Sequence, residues 1–297
     1  MSPILHRRKF ITTLLGAGAA SLAAAEDKLS YKGENIQFGL VTYMWGADLD
    51  LPALISALEK AKILGVELRV DHAHGVSPKL TPKERAEVRK RFGDSPVDCV
   101  GMGTNFEFHS PKPEELRKNI EGAMEHIKLS HDIGASGVKV KPNALPKEVE
   151  KEKTLEQIAR ALQQLGDHAL GFGQEIRLEV HGGVTDLGDI ATIMKTAARD
   201  NVRVCWNSNQ KDIEGEGIEA NFAKVRDYLG HTLHIRGATV EGYPWDKLAK
   251  LLVDADWEGW VLLEAGGKRP DGDPAAVLGA QRDAFMQLVT TARKAAA

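Results

Sequence analysis

Short apolar runs alternate with amphipathic stretches along most of the chain. Near Phe38 to Trp45, Gly65 to Asp71, Asp98 to Gly103, Gly137 to Lys141, Ile176 to His181, Val202 to Asn207, Leu233 to Arg236 and Trp260 to Glu264, apolar residues take every second position or form brief runs, which predicts eight strands. The strand signals recur about every 32 residues, the size of one strand-plus-helix unit. The intervening helices carry start signals: Thr81-Pro82-Lys83-Glu84 has a capping Thr, a first-turn Pro and a Glu three residues after the cap, and Ser110-Pro111-Lys112-Pro113-Glu114 opens the next helix in a similar way. Gly65, Gly93, Gly134 and Gly230 fall where helices should close on a left-handed residue. Eight such units predict a single (β/α)8 barrel over residues 36–294. A doubly wound open sheet, the main rival, more often has a glycine-rich phosphate loop after its first strand, and Thr42-Tyr43-Met44-Trp45-Gly46 is not one.

Alternate strand residues face the helices and the barrel axis, so parity assigns the interior. With Val138 and Val140 toward the helices, Lys139 and Lys141 point inward; with Ile176, Leu178 and Val180 outward, Arg177, Glu179 and His181 point inward. The same rule turns Glu67, Arg69, Asp71, Arg203, Asn207, His234, Arg236 and Glu264 toward the axis. Barrel interiors are normally filled by branched apolar side chains, so a lumen this rich in charge must be paired, wet or metal-bound. Low in the strands, Glu67, Arg69, Arg177 and Arg203 are expected to form a structural ion-pair network. At the carboxyl ends of four successive strands stand Glu179 and His181, Asn207, His234 and Glu264, a set of oxygen and imidazole donors suited to a divalent cation. His74 and His109, at the ends of strands two and three, are expected at the entrance. Trp45, Trp206 and Trp245 are read either as core or as platforms for a sugar ring.

The chain has 297 residues and a formal charge of −3, with 39 basic and 42 acidic residues, a balance that opposes a general nucleic-acid binder. Its 2 cysteines, Cys99 and Cys205, cannot build a disulfide framework. Residues 1–25 change the charge reading. His6-Arg7-Arg8-Lys9-Phe10-Ile11, a weakly apolar run from Thr12 to Leu22 and Ala23-Ala24-Ala25 have the layout of an export signal of the twin-arginine type, which implies a periplasmic protein. The apolar run is too short to span a bilayer, so no stable membrane insertion is expected after cleavage. Removing the segment deletes three cations and leaves a mature chain of charge −6.

Five motifs carry a family resemblance: Gly65-Val66-Glu67-Leu68-Arg69, Glu107-Phe108-His109-Ser110-Pro111, Gly137-Val138-Lys139-Val140-Lys141-Pro142-Asn143, Glu179-Val180-His181-Gly182 and Cys205-Trp206-Asn207-Ser208-Asn209. The chain resembles the sugar phosphate isomerase/epimerase family, the xylose isomerase-like barrels, over residues 36–294. That resemblance implies a divalent metal (Mn, Mg, Co or Zn) held at Glu179, Asn207, His234 and Glu264, with Glu179 and Glu264 as the acid/base pair. Two departures stand out: Asn207 takes the place of an Asp, and His234-Ile235-Arg236-Gly237 lacks the second carboxylate of some relatives. An amide oxygen still ligates a hard cation, with lower affinity.

The expected reaction is proton transfer next to a carbonyl on an unphosphorylated carbohydrate, with His74, His109, Lys139, Lys141, His181 and Arg236 holding the substrate. The alternatives are β-elimination on an oxidised sugar at the same site and a catalytically inactive carbohydrate-binding barrel. The apurinic endonucleases also resemble this fold, but the ligands their zinc cluster needs are missing. A homo-oligomer is compatible with the sequence, which points to no particular interface.

Overall fold

The computed structural model describes residues 31–296, so the export-signal reading of residues 1–25 lies outside the described residues. Eight strands, β1 (Ile36–Val41), β2 (Gly65–Arg69), β3 (Asp98–Glu107), β4 (Gly137–Lys141), β5 (Glu175–Glu179), β6 (Val202–Cys205), β7 (Thr232–Ile235) and β8 (Gly259–Leu263), form one parallel sheet. Each is followed by a helix: α1 (Leu51–Lys60), α2 (Pro82–Gly93), α3 (Pro113–Asp132), α4 (Lys151–Leu170), α5 (Leu187–Ala197), α6 (Ile218–Val225), α7 (Trp245–Asp254) and α8 (Pro274–Ala296). The strand order β6-β5-β4-β3-β2-β1-β8-β7 curls the sheet into the (β/α)8 barrel that the strand spacing predicts. The two end strands meet along a seam without a regular ladder. It is held by isolated bridges, Val204 to Leu229 and Asn207 to His234, and by the His234 N–H bonded to the Trp206 carbonyl at 2.7 Å.

The capping signals are realised unequally. Thr81 accepts from the Glu84 N–H while the Glu84 side chain accepts from the Thr81 N–H, the reciprocal box expected of that motif. Helix α3 instead starts at Pro113 without a side-chain cap, and Ser110 donates to Glu115 at 2.8 Å. Of the four glycines expected to close helices, Gly134 alone has a left-handed φ, +84°. Gly65 begins β2, where a Cβ would lie 2.3 Å from the Trp260 ring, so close packing and not turn geometry demands that glycine.

Strand parity largely holds. Val138, Val140, Ile176, Leu178 and Val204 are fully buried beneath the helices, each burial worth about 1.5–3 kcal/mol relative to exposure. Trp45, Trp206 and Trp245 lie in this same helix-facing core, with the Trp245 Nε1–H donating to the Val240 carbonyl at 2.7 Å. Inside the barrel Val41, Val100 and Leu262 form a small separate apolar cluster with Trp260 packed against it. Asp71 departs from expectation: β2 ends at Arg69, and Asp71 is exposed with a φ of 62°.

The expected four-residue ion-pair network does not form. Arg177 pairs with Glu175 at 2.7 Å and donates to the Val100 carbonyl and Ser136 Oγ. Arg203 donates to the Asp227 carbonyl in an exposed contact, and Glu67 faces His234. Parity fixes which face a side chain takes; which group meets it across the axis depends on strand stagger. Burial opposes ionisation of Glu175, but the Arg177 guanidinium and His231 together outweigh it and hold the carboxyl at about 2.

Candidate functional site

Glu179 ends β5, His234 lies within β7, and Glu264 directly follows β8, so three strands of the barrel wall deliver their side chains to one point. One donor atom from each of Glu179, His234 and Glu264 lies within 4.8 Å of the others. His234 Nδ1 is 3.6 Å from Glu179 Oε1 and 3.5 Å from Glu264 Oε2. His234 and Glu179 are fully buried, while Glu264 is half-buried toward the open end.

These residues fit a divalent cation. Both His234 ring nitrogens are buried without a hydrogen-bond partner, and ligands bound tetrahedrally at about 2.0–2.2 Å stand roughly 3.3–3.6 Å apart, the spacing of Nδ1 and the two carboxylates. Across the ring, Nε2 lies 3.3 Å from Glu67 Oε1. Both Glu67 oxygens also lack a hydrogen-bond partner, so this buried carboxylate is placed to accept the Nε2 proton of a ring that ligates through Nδ1, which would raise its basicity as a ligand. Glu67, expected in the ion-pair network, therefore belongs to this centre, which parity alone could not reveal.

Asn207 sits between the two glutamates. Its amide nitrogen donates to Glu179 Oε1 at 2.6 Å and to Glu264 Oε2 at 3.2 Å, bridging two carboxylates that would otherwise repel. In this orientation the side chain is a donor, and turning the amide over presents Oδ1 to the same centre. Lys139 approaches from below, donating to Glu179 Oε2 at 2.6 Å and to the Thr104 carbonyl at 3.1 Å. Burial alone would raise the Glu179 pKa, but the Lys139 ammonium together with the His234 and His181 imidazoles holds it well below the carboxylate range.

The remaining predicted residues divide. Lys141 is half-buried beside Lys139, and burial with that like charge lowers its pKa. His181 Nδ1 meets Asn143 Oδ1 at 2.9 Å, and burial lowers its pKa also, leaving a neutral ring at the edge of the centre. His74 is engaged elsewhere: Nε2 donates to the Arg69 carbonyl at 2.7 Å and Nδ1 accepts the Val76 N–H at 3.0 Å, so neither ring nitrogen is free, and burial takes the pKa down to about 4. His109 stands 3.7 Å from Glu107, and the Arg236 side chain is exposed.

The sequence reading missed a second buried group beside this wall. Asp212 accepts from Tyr243 Oη at 2.6 Å, from the Asn209 N–H at 2.9 Å and from Asn209 Nδ2 at 2.9 Å. Burial pushes its carboxyl up to about 7 in spite of these donors. The signal was Asn209-Gln210-Lys211-Asp212, a capping box on the short 3-10 turn Gln210–Ile213.

Comparison with known proteins agrees with this architecture. The family model described as xylose isomerase-like TIM barrel matches residues 55–287. The chain is similar to a D-psicose 3-epimerase from Clostridium cellulolyticum H10, solved with D-tagatose: TM-score 0.72, 15% identity, covering 86% of this chain and 99% of that one. It is also similar to an IOLI protein with a binding zinc atom, at TM-score 0.72 and 15% identity over 86% and 98% of the two chains. A probable 3-DHS dehydratase, AsbF, from Bacillus anthracis gives TM-score 0.68 and 12% identity over 84% and 98%. At such identities the likeness is one of fold. No curated protein matches the chain.

Proposed function

The chain belongs to the xylose isomerase-like TIM barrel family, and from that premise we propose that it is a divalent-metal-dependent isomerase or epimerase acting on a carbohydrate by proton transfer next to a carbonyl. The observation that carries this reading is the convergence of Glu179, His234 and Glu264 with an unpartnered, buried imidazole between two carboxylates. Glu179, His234, Glu264 and the turned amide of Asn207 would hold the ion. The ion's contribution when bound is to polarise the substrate carbonyl and its neighbouring hydroxyl.

The chain's own groups handle the proton. Lys139 keeps Glu179 ionised, so Glu179 enters as a proton acceptor. Glu264 is the carboxyl group nearer the open end, placed to give or take a proton on the other side of the substrate carbon. Removal by one carboxylate and return by the other inverts that carbon; return to the neighbouring carbon instead moves the carbonyl. His181 and Lys141 supply polar contacts for hydroxyl groups at the rim.

Elimination is the second reading, favoured by one observation. The half-buried Lys141 ammonium, with its lowered pKa, is suited to protonating a departing hydroxyl group. The proposal also places the substrate outside the cytoplasm, on the strength of Arg7-Arg8 and the short apolar run that follows.

The test is to purify the protein without chelator, measure bound Mn, Mg, Co and Zn, and follow solvent deuterium entering a panel of keto sugars. Stoichiometric metal and deuterium uptake that both fall in Glu179→Gln and Glu264→Gln are expected. Metal-free wild-type protein, or turnover unchanged in both variants, would refute the reading. Release of water from the sugar in place of deuterium retention selects elimination.

A further inference from the structure

Arg69 is the last residue of β2 and is 8% exposed, and its Nε is buried without a hydrogen-bond partner, the guanidinium making no ion pair with any described residue. Its backbone N–H is held by Thr42 Oγ1 at 2.8 Å, which fixes the strand end from which the side chain departs. The stem runs inward: a Cβ on Gly103 would lie 2.8 Å from Arg69 Cδ and 2.7 Å from Glu67 Oε1. Glycine at 103 is thus what lets the arginine pass along the inner wall beside the carboxylate that backs His234. The guanidinium then lies over the Tyr43 ring at 5.4 Å from its centroid. An arginine cannot discharge itself by losing its proton, so an unpaired buried guanidinium calls for an anion from outside the chain.

The charges facing that position define the anion. Glu67, Glu179 and Glu264 are matched by Lys139, Lys141 and Arg69, and the Glu175–Arg177 pair lower in the barrel cancels internally. A divalent cation with a neutral His234 leaves the loaded site two charges positive. Proton transfer from the substrate to Glu179 moves charge within the site without changing its sum, so the excess favours a substrate that carries its own negative charge. Stacking on Tyr43 occupies one face of the guanidinium and leaves its edge of parallel N–H donors for a planar, two-oxygen partner.

We infer that the substrate is a sugar acid, whose carboxylate binds the Arg69 guanidinium beside the Tyr43 ring. This rests on the proton-transfer reading above for the reaction and on Arg69 for the substrate class, and the two can fail separately.

Three ligands that differ only at carbon six test the inference: D-fructose, D-fructuronate and D-fructose 6-phosphate, each titrated calorimetrically into the metal-loaded full chain, with deuterium uptake followed by NMR. Fructuronate is expected to bind at least tenfold more tightly than fructose and more tightly than the phosphate. That preference should vanish in Arg69→Gln and survive in part in Arg69→Lys, with circular dichroism reporting the fold of each. Lys141→Gln, at a half-exposed position, should weaken fructuronate more than fructose and serves if the Arg69 variants do not fold. Equal binding of fructose and fructuronate, tighter binding of the phosphate, binding of none of the three, or a preference that persists in Arg69→Gln would each overturn the assignment. Deuterium uptake into fructose without a carboxylate preference overturns the sugar-acid assignment and leaves the reaction standing. Tight, Arg69-dependent fructuronate binding with no uptake supports the pocket and removes the reaction.

Discussion

Replacing Asn207 with Asp should make the protein weaker without metal and a better metal binder. In the wild-type chain the Asn207 amide donates to Glu179 at 2.6 Å and to Glu264 at 3.2 Å. An aspartate in that place loses both bonds and sets a third carboxylate against the first two. The repulsion is limited by protonation: at pH 7 one carboxyl group can stay protonated at a cost of about 1.36 kcal/mol for each of roughly three pH units, near 4 kcal/mol in all. For a chain of this size that is a fall of up to about 8–16 °C in the metal-free Tm. The sign with pH follows. A carboxyl group whose folded pKa is raised is without penalty below its unfolded value near 4, and the loss grows as pH rises toward 7. A bound cation removes the repulsion, so metal affinity should rise by at least tenfold and at most about a thousandfold, the equivalent of the same 4 kcal/mol. Calorimetric titration with Mn, together with melting curves in chelator at pH 5 and pH 7, measures both effects. An unchanged affinity, or a metal-free Tm that does not fall as pH rises, would show that Asn207 is not between the ligating carboxylates in the way described.

Three further expectations follow from other contacts. Lys139→Met removes the partner of a fully buried carboxylate and should cost about 3–5 kcal/mol, with much of the loss recovered when Glu179→Gln is added; additive losses in a double-mutant cycle would contradict the direct pairing at 2.6 Å. Asp212, raised to about 7, should make the wild-type chain lose stability relative to Asp212→Asn as pH rises from about 4 through 7, and parallel denaturation curves at pH 5 and pH 8 would refute that buried shift. A reporter fused to residues 1–30 should be exported by the wild-type segment and retained in the cytoplasm when Arg7→Lys and Arg8→Lys are combined; equal export of both fusions would remove the twin-arginine assignment.

Much of the fold was legible because strand spacing and side-chain parity are local properties. The alternation in Val138-Lys139-Val140-Lys141 announced both the strand and the inward lysines, and the structure buries the two valines under the helices. The convergence of Glu179, Asn207, His234 and Glu264 could also be read, since a barrel brings the ends of successive strands together. The pairings inside the lumen could not. Glu67 and Arg69 share a face and sit two residues apart, yet Glu67 turns to His234 and Arg69 to Tyr43, because the strand stagger sets which groups meet across the axis. Arg177 found Glu175 because a register lower in β5 placed them together, at a position the strand signal beginning at Ile176 did not include. His74 shows the opposite limit: a loop histidine at a strand end suggested the entrance, and two backbone bonds use its ring to shape the turn itself.

The unladdered seam between β6 and β7 gives the proposed ion site a mechanical meaning. Glu179 and Asn207 stand on one side of that seam, and His234 and Glu264 on the other. A cation held by all four would act as a rivet across the one join where the wall lacks a regular ladder. Hydrogen exchange of the His234 and Ser208 amides, whose bonds cross the join, should slow on metal loading more than that of amides in β2 or β3. The ligands of the reaction centre would then also be the clasp that closes the cylinder.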